Sequence, residues 1–207
     1  MINSCENNRL IKLNGLKILC IADTHRRLNE DELSIIENYR NSVDLILTLG
    51  DIPMDSLNKI NGDYGVLGNH DSFNGIDKSK NLNLRIVCKN GILLGGFQGS
   101  SRYKKGNFVM YSHKESCDLL DNLRYCDIFI SHDSCMTDYY CQTGEIDAHS
   151  GLMGIDRYIE KKQPLLHIHG HHHKNNLEYK YSVPSLGVYG IVLVEIINGE
   201  LRVIDLR

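Results

Sequence analysis

The sequence predicts an α/β protein, laid out as a four-layer αββα sandwich of two mixed β-sheets flanked by helices. Three observations predict it. Short continuous apolar runs alternate with stretches of helical length, five of those runs stop at a cluster of Asp, His, Asn or Gly, and the tail from residue 177 onward is β-rich. A chain of 207 residues is expected to form one domain, 1–207, with a full core. Residues 1–15 read as a lead-in, with Asn3 to Asn8 its loose part.

Leu16 to Ala22 (LKILCIA) is the first apolar run, the mark of a strand covered on both faces. Asp44 to Leu49, Tyr64 to Leu67, Asp127 to Ile130 and Leu165 to Ile168 follow the same pattern, and Ile92 to Phe97 is a further candidate. Glu30 to Tyr39, Ser116 to Arg124 and Met153 to Lys162 are polar–apolar mixtures of helical length. In the tail, Tyr179 to Tyr181, Gly187 to Ile197 and Leu201 to Leu206 suit strands, and Asn198-Gly199 is a hairpin turn. These are expected to be antiparallel and to close a second sheet. There is no internal repeat, low-complexity segment or linker.

Composition narrows the function classes. Hydrophobic residues make up 42%, too many for a disordered chain, and the net charge of −3 comes without a basic block. No stable nucleic-acid partner is therefore expected. The seven cysteines are scattered without a CxxC pair, and no signal peptide or membrane-length apolar run is visible. A reducing cytoplasm is the expected location, with no membrane attachment and with the cysteines acting as small buried hydrophobes. Oligomeric state is not legible.

The polar residues after the strands carry the chemistry. The first run ends in Asp23-Thr24-His25, the second in Gly50-Asp51, the third in Gly68-Asn69-His70-Asp71, the fourth in Ser131-His132-Asp133 and the fifth in Gly170-His171-His172-His173. Taken singly, each has a bland reading as a turn, a cap or a structural histidine. Ligands of open α/β sheets bind outside the carboxyl ends of the strands, so five such groups at one edge share one chemistry, metal coordination. The histidine-rich stretch Leu165 to Lys174 is not a terminal tag, because a long patterned segment follows it. Gly62-Asp63 precedes its apolar run and so belongs at the opposite edge from Gly50-Asp51.

In order, these blocks read DTH, GD, GNHD, a lone His132 and GHHH, and they resemble the calcineurin-like metallophosphoesterases, whose signature runs DxH, GD, GNH plus an acid, His, GHxH. SHD at Ser131 to Asp133 and the segment from His149 to His173 look like small family members with phosphodiesterase activity. The resemblance implies two divalent metal ions. Asp23, His25 and His173 would hold the first; Asn69, His132 and His171 the second; Asp51 would bridge them. Two ions about 3.5–4 Å apart need such a shared anion. DxH and HxH spacing in an extended segment would put the ligands on one side, with Thr24 and His172 pointing elsewhere.

A ligand set of nitrogen and oxygen suits manganese, iron, zinc, nickel or cobalt, and affinity order alone does not select among them; manganese is the first expectation. The resemblance further implies a metal-bridging hydroxide as nucleophile and His70 as the general acid for the leaving group. Asp71 either orients His70 or caps the next helix. Arg26 and Arg27 could touch phosphate or lie on the surface. His172 is expected behind the ligands, facing substrate or exposed. His167 and His169 read as packed structural residues. His113 and His149 have no strong claim, His149 the better one for its HSG context.

The expected function is hydrolysis of a small phosphate ester, a nucleotide-type phosphodiester first. A phosphomonoesterase on a nucleotide or small metabolite would use the same residues. A non-catalytic scaffold of this fold is the alternative from another class, and the intact ligand set with His70 argues against it. A nuclease is disfavoured by the short, slightly acidic chain. A protein phosphatase is disfavoured because GDIP stands where that branch has GD-x-x-DRG.

Overall fold

The fold is described from a computed structural model for residues 9–207. In the first strand, β1 (Lys17–Ala22), every residue after Lys17 is buried. Alternation along the strand then sends Ile18, Cys20 and Ala22 to one face and Leu19 and Ile21 to the other. The next elements are α1 (Glu30–Arg40), β2 (Leu45–Thr48), α2 (Met54–Ile60), β3 (Tyr64–Gly65), β4 (Ile86–Lys89), β5 (Ile92–Phe97), β6 (Ser100–Ser101) and β7 (Met110–Tyr111). They are followed by α3 (His113–Leu120), β8 (Ile128–Ser131), α4 (Asp138–Thr143), α5 (Met153–Lys162) and β9 (Leu166–His169). The chain ends in β10 (Asn176–Lys180), β11 (Val183–Gly187), β12 (Gly190–Ile197) and β13 (Glu200–Asp205).

Two mixed sheets result. The first has the order β13-β12-β1-β2-β3 and the second β10-β11-β9-β8-β5-β4; β6 and β7 form a small parallel pair. Parallel pairing joins β1 to β2 and β2 to β3 in one sheet, and β5, β8, β9 and β11 in the other. Three apolar clusters define four layers. Ile18, Cys20, Leu47 and Val194 meet Leu94, Ile130, Ile168 and Leu186 between the sheets. Leu19, Ile21 and Ile46 pack outward against Ile36 of α1. Phe129 and Val183 pack outward against Leu120 of α3 and Ile155 and Ile159 of α5. Each such fully buried side chain contributes roughly 1.5–3 kcal/mol.

The tail differs from its expected role. It does not close a sheet of its own. β12 pairs antiparallel with β1, from Lys17 opposite Glu195 to Ala22 opposite Gly190, while β11 pairs parallel with β9 and β10 pairs antiparallel with β11. The break at Gly187–Gly190 lets the chain cross from one sheet to the other. The hairpin at Asn198-Gly199 joins β12 to β13 as expected.

The helix expected at Ser116 begins at His113, because Ser112 caps it and Glu115 reaches back to the Ser112 backbone N–H. Arg9–Leu13 form a 3-10 helix whose Leu10 and Leu13 enter the inter-sheet core, and Lys12 Nζ lies 2.8 Å from the buried Asp127 carboxylate. Asn3 to Asn8 and Cys5 fall outside the described residues. The other six cysteines are free, with Cys20, Cys117, Cys126 and Cys135 buried and Cys88 and Cys141 exposed. Among the described residues no helix is long and apolar enough to cross a membrane.

Candidate metal centre

The carboxyl ends of β1, β2, β8 and β9 and the loop after β3 converge, and each polar cluster named from the sequence stands there. Two groups of side chains place ligand atoms within 4.8 Å of one another: Asp23, His25 and His173 in one, and Asp51, His132 and His171 in the other. The second group is buried; His25 and His173 of the first are exposed. Asp51 Oδ2 lies between the groups, 3.9 Å from His25 Nδ1 and 3.6 Å from His132 Nε2. Asn69, fully buried, places its Oδ1 3.0 Å from His132 Nε2.

The backbone that presents these residues is not extended, which corrects the expectation for the DxH and HxH segments. Asp23, His25, Asp51, His171 and His173 all have φ between 49° and 68°. Residues with a Cβ occupy this left-handed region at a cost of order 1–3 kcal/mol each, and such residues concentrate at functional sites. The loops are locked together by Asp23 N–H donating to Gly50 O, His25 N–H to Asp51 O and His171 N–H to Asp23 Oδ2. Gly68 makes room for Asp51: a Cβ there would stand 2.0 Å from Asp51 Oδ1.

The donor atoms fit a cation. Asp23 Oδ1 is buried with no hydrogen-bond partner. Burial, then the neighbouring Asp51 charge, pushes the Asp23 carboxyl up to about 8, so these two acids are costly to keep together without a positive partner. His132 Nδ1 lies 2.8 Å from Leu49 O, which can only accept, so the proton belongs on Nδ1. Burial holds this imidazole neutral, with its pKa lowered to about 4. Its Nε2 then turns a lone pair toward Asn69 Oδ1, another acceptor, and an ion between them resolves the conflict. His171 Nε2 meets Ala148 O at 2.5 Å, which leaves Nδ1 as the free lone pair. His25 Nε2 and His173 Nε2 lie 3.0 Å apart.

His70 stands outside both groups, with its ring edge-on to His25 at 5.8 Å and to Phe108 at 5.9 Å. Burial lowers its pKa from the usual 6.5. Asp71 neither orients His70 nor caps a helix. Its carboxylate accepts from Gly68 N at 2.7 Å, Asp51 N at 2.9 Å and Ile52 N at 3.1 Å, and so clamps two of the loops together. Arg26 and Arg27 pair with Glu32 and Asp55 on the surface instead of facing the centre. Asp63 accepts from Ile46 N at the amino end of β2, so Gly62-Asp63 does lie at the opposite edge. His167 sits between the Ser131 and Ser185 hydroxyls, and His172 beside Ser134 and Asp133.

Sequence reasoning missed Tyr103, whose hydroxyl lies 3.4 Å from Asn69 Nδ2, and the carbonyls of Leu49 and Ala148. No sequence signal marks a carbonyl. His149, which has no strong claim from the sequence, lies with its ring 5.0 Å from that of His171.

Residues 16–194 match the family model described as the calcineurin-like phosphoesterase superfamily domain. No curated protein sequence matches the chain. Among solved structures, a protein of Thermus thermophilus is similar with a TM-score of 0.64 at 13% identity, over 94% of this chain and 100% of that one. A second, hypothetical protein of the same organism has a TM-score of 0.57 at 11% identity, over 91% and 97%. A structure titled as a novel phosphatase of Mycoplasma pneumoniae has a TM-score of 0.52 at 14% identity, over 93% and 92%. At these identities the likeness is one of fold.

Proposed function

Since the chain belongs to the calcineurin-like phosphoesterase superfamily, we propose that it is a metal-dependent phosphodiesterase acting on a small nucleotide-type phosphodiester. The observation that carries this reading is Asp51 Oδ2, set between two nitrogen- and oxygen-bearing groups. Asp23, His25, His173 and Asp51 would hold one ion, and Asp51, Asn69, His132 and His171 the other, manganese being the first candidate. When bound, such a pair supplies an activated water at neutral pH and neutralises charge on the phosphate oxygens. A metal pair needs fixed ligands, and the hydrogen bonds of the Leu49 and Ala148 carbonyls fix two of the rings.

His70 would donate a proton to the departing oxygen. It is unligated in this assignment, and its backbone N–H is tied to Asp51 Oδ1 at 2.9 Å, so it moves with the centre. Phe108 stands beside it with Lys104 Nζ 4.0 Å over the ring, so an aromatic ring and a cation lie next to His70. That combination supports a nucleotide over a bare alkyl phosphate.

The test uses protein depleted of metal and reloaded with manganese. It is assayed on bis-p-nitrophenyl phosphate, p-nitrophenyl phosphate, cyclic nucleotides and dinucleotides. Metal-dependent turnover with a higher kcat/KM on diesters is expected; a higher value on monoesters would replace this reading with a phosphomonoesterase, and no turnover would return it to a scaffold. His70→Ala should retain both metals and lose about 10²–10⁴-fold on a dinucleotide. The nitrophenyl ester should slow less, since p-nitrophenolate leaves without a proton. Equal losses on both substrates would remove the proton-donor role.

A further inference from the structure

We propose that His149 positions the substrate phosphate, its ring N–H donating to a non-bridging phosphate oxygen on the side of the centre bordered by His171; this rests on the phosphoesterase reading above. His149 lies on the connection between α4 and α5, far in sequence from any of the signature blocks around it. Its ring centroid is nevertheless 5.0 Å from that of His171, 5.3 Å from His172 and 6.2 Å from His173. Among the described residues nothing hydrogen-bonds to its ring nitrogens, and the side chain is exposed.

An exposed loop histidine is ordinarily a solvated one. This loop is different because it is pinned. Asp147 N–H donates to Ser150 Oγ at 2.7 Å, and the Ser150 hydroxyl and the His149 backbone N–H both donate to Asp147 Oδ1 at 2.9 Å. Ser150 is fully buried. The following Gly151 has φ +76°, and a Cβ there would stand 2.1 Å from Cys135 O, so the turn is wedged against the loop after β8. Next to His149, Ala148 O accepts a hydrogen bond from His171 Nε2. The turn therefore does two things at once. It sets the tautomer of a candidate ligand, and it holds an unpartnered ring donor over the same ligand. Arg26 and Arg27 are engaged by Glu32 and Asp55, so a neutral donor on this side has no guanidinium to compete with.

Hydrogen bonds to an ionised partner are worth more than neutral ones, equivalent to about 10- to 100-fold in affinity. The test compares manganese-loaded wild type, His149→Ala and His149→Gln by metal content, by kcat and KM on bis-p-nitrophenyl phosphate, and by calorimetric binding of inorganic phosphate. His149→Ala should keep two metals per chain, raise KM and weaken phosphate about tenfold or more, and change kcat less. His149→Gln, which retains an N–H donor, should recover much of the phosphate affinity. Unchanged phosphate affinity in His149→Ala would overturn the proposal, and so would a loss of metal, which would make the turn a support for His171 alone. If wild type hydrolyses no ester, the phosphoesterase reading fails, while the phosphate titration still decides the role of His149. A loaded wild type that binds no phosphate sinks the proposal as well.

Discussion

Gly68→Ala should dismantle the centre from a position that bears no ligand. The new Cβ would stand 2.0 Å from Asp51 Oδ1, 2.4 Å from Asp51 N and 2.6 Å from Asp51 Cγ, where ordinary contact begins at 3.4 Å. One of these atoms, the backbone nitrogen, cannot swing away as a side-chain tip would. Asp51 N is held by Asp71 Oδ2 at 2.9 Å, and the same oxygen holds Gly68 N at 2.7 Å, so the two loops are stapled face to face. Asp51 has to retreat by about an ångström, which is large beside the tolerance of about 0.5 Å for a preorganised site. A misplacement of about 1 Å costs on the order of 10²-fold in rate, and the overpacking itself about 1–3 kcal/mol of stability. The assay is metal content by mass spectrometry, kcat/KM on bis-p-nitrophenyl phosphate and Tm. The control is Gly15→Ala, where φ is +86° but a Cβ meets nothing within 4 Å. It should lose about 1 kcal/mol to backbone strain and keep its activity. Gly68→Ala with a full metal pair and wild-type turnover would show that Asp51 is not held where the reasoning requires.

Asp51→Asn should reduce both metal content and rate more than Asp23→Asn, because Asp51 Oδ2 faces both groups while Asp23 faces one; equal metal content and equal rates in the two variants would count against a bridging Asp51. Burial holds the His167 pKa well below 6.5. The unfolded chain therefore takes up this proton first, and the stability that is fully present above pH 6.5 is lost as pH falls below it. In metal-free protein, wild type should lose up to about 1.4 kcal/mol per pH unit more than His167→Gln in denaturant titrations on the acid side of pH 6. Parallel slopes would rule this out.

The strand ends were legible because burial on both faces leaves a continuous apolar run. β5 and α5 coincide with the runs Ile92 to Phe97 and Met153 to Lys162. All seven expected ligand side chains stand at one edge of the sheets for the same reason. α3 was displaced because its cap, Ser112-x-x-Glu115, lies outside the apolar pattern that marked the helix. The tail was misassigned to one sheet because nothing local in Gly190–Ile197 states that its partner is β1, at the other end of the chain. The left-handed φ of Asp23 and His25 is not fixed by the sequence either: Asp and His are enriched in this region relative to other side chains, yet most Asp and His residues still lie elsewhere. The clamping role of Asp71 is not legible in the sequence because its partners include backbone N–H groups delivered by another loop.

What separates these residues from a merely satisfied polar cluster is how each one divides its polar atoms. Asp23 gives Oδ2 to His171 N and leaves Oδ1 without a partner. Asp51 gives Oδ1 to His70 N and turns Oδ2 toward His25 and His132. His132 gives Nδ1 to Leu49 O, and His171 gives Nε2 to Ala148 O. In all four, one atom is anchored to backbone from a different loop and the other is left as a lone pair facing its neighbours. A polar core selected for stability alone would pair both atoms, since an unpaired buried acceptor costs about 1–3 kcal/mol. Left-handed backbone at Asp23, Asp51 and His171 adds to that cost at the same positions. Strain at three of these residues and a buried, unpartnered Asp23 Oδ1 gathered in one place suit a multivalent cation, whose bonds would offset both. The fold contributes the anchors that keep those lone pairs aimed inward before any ion arrives.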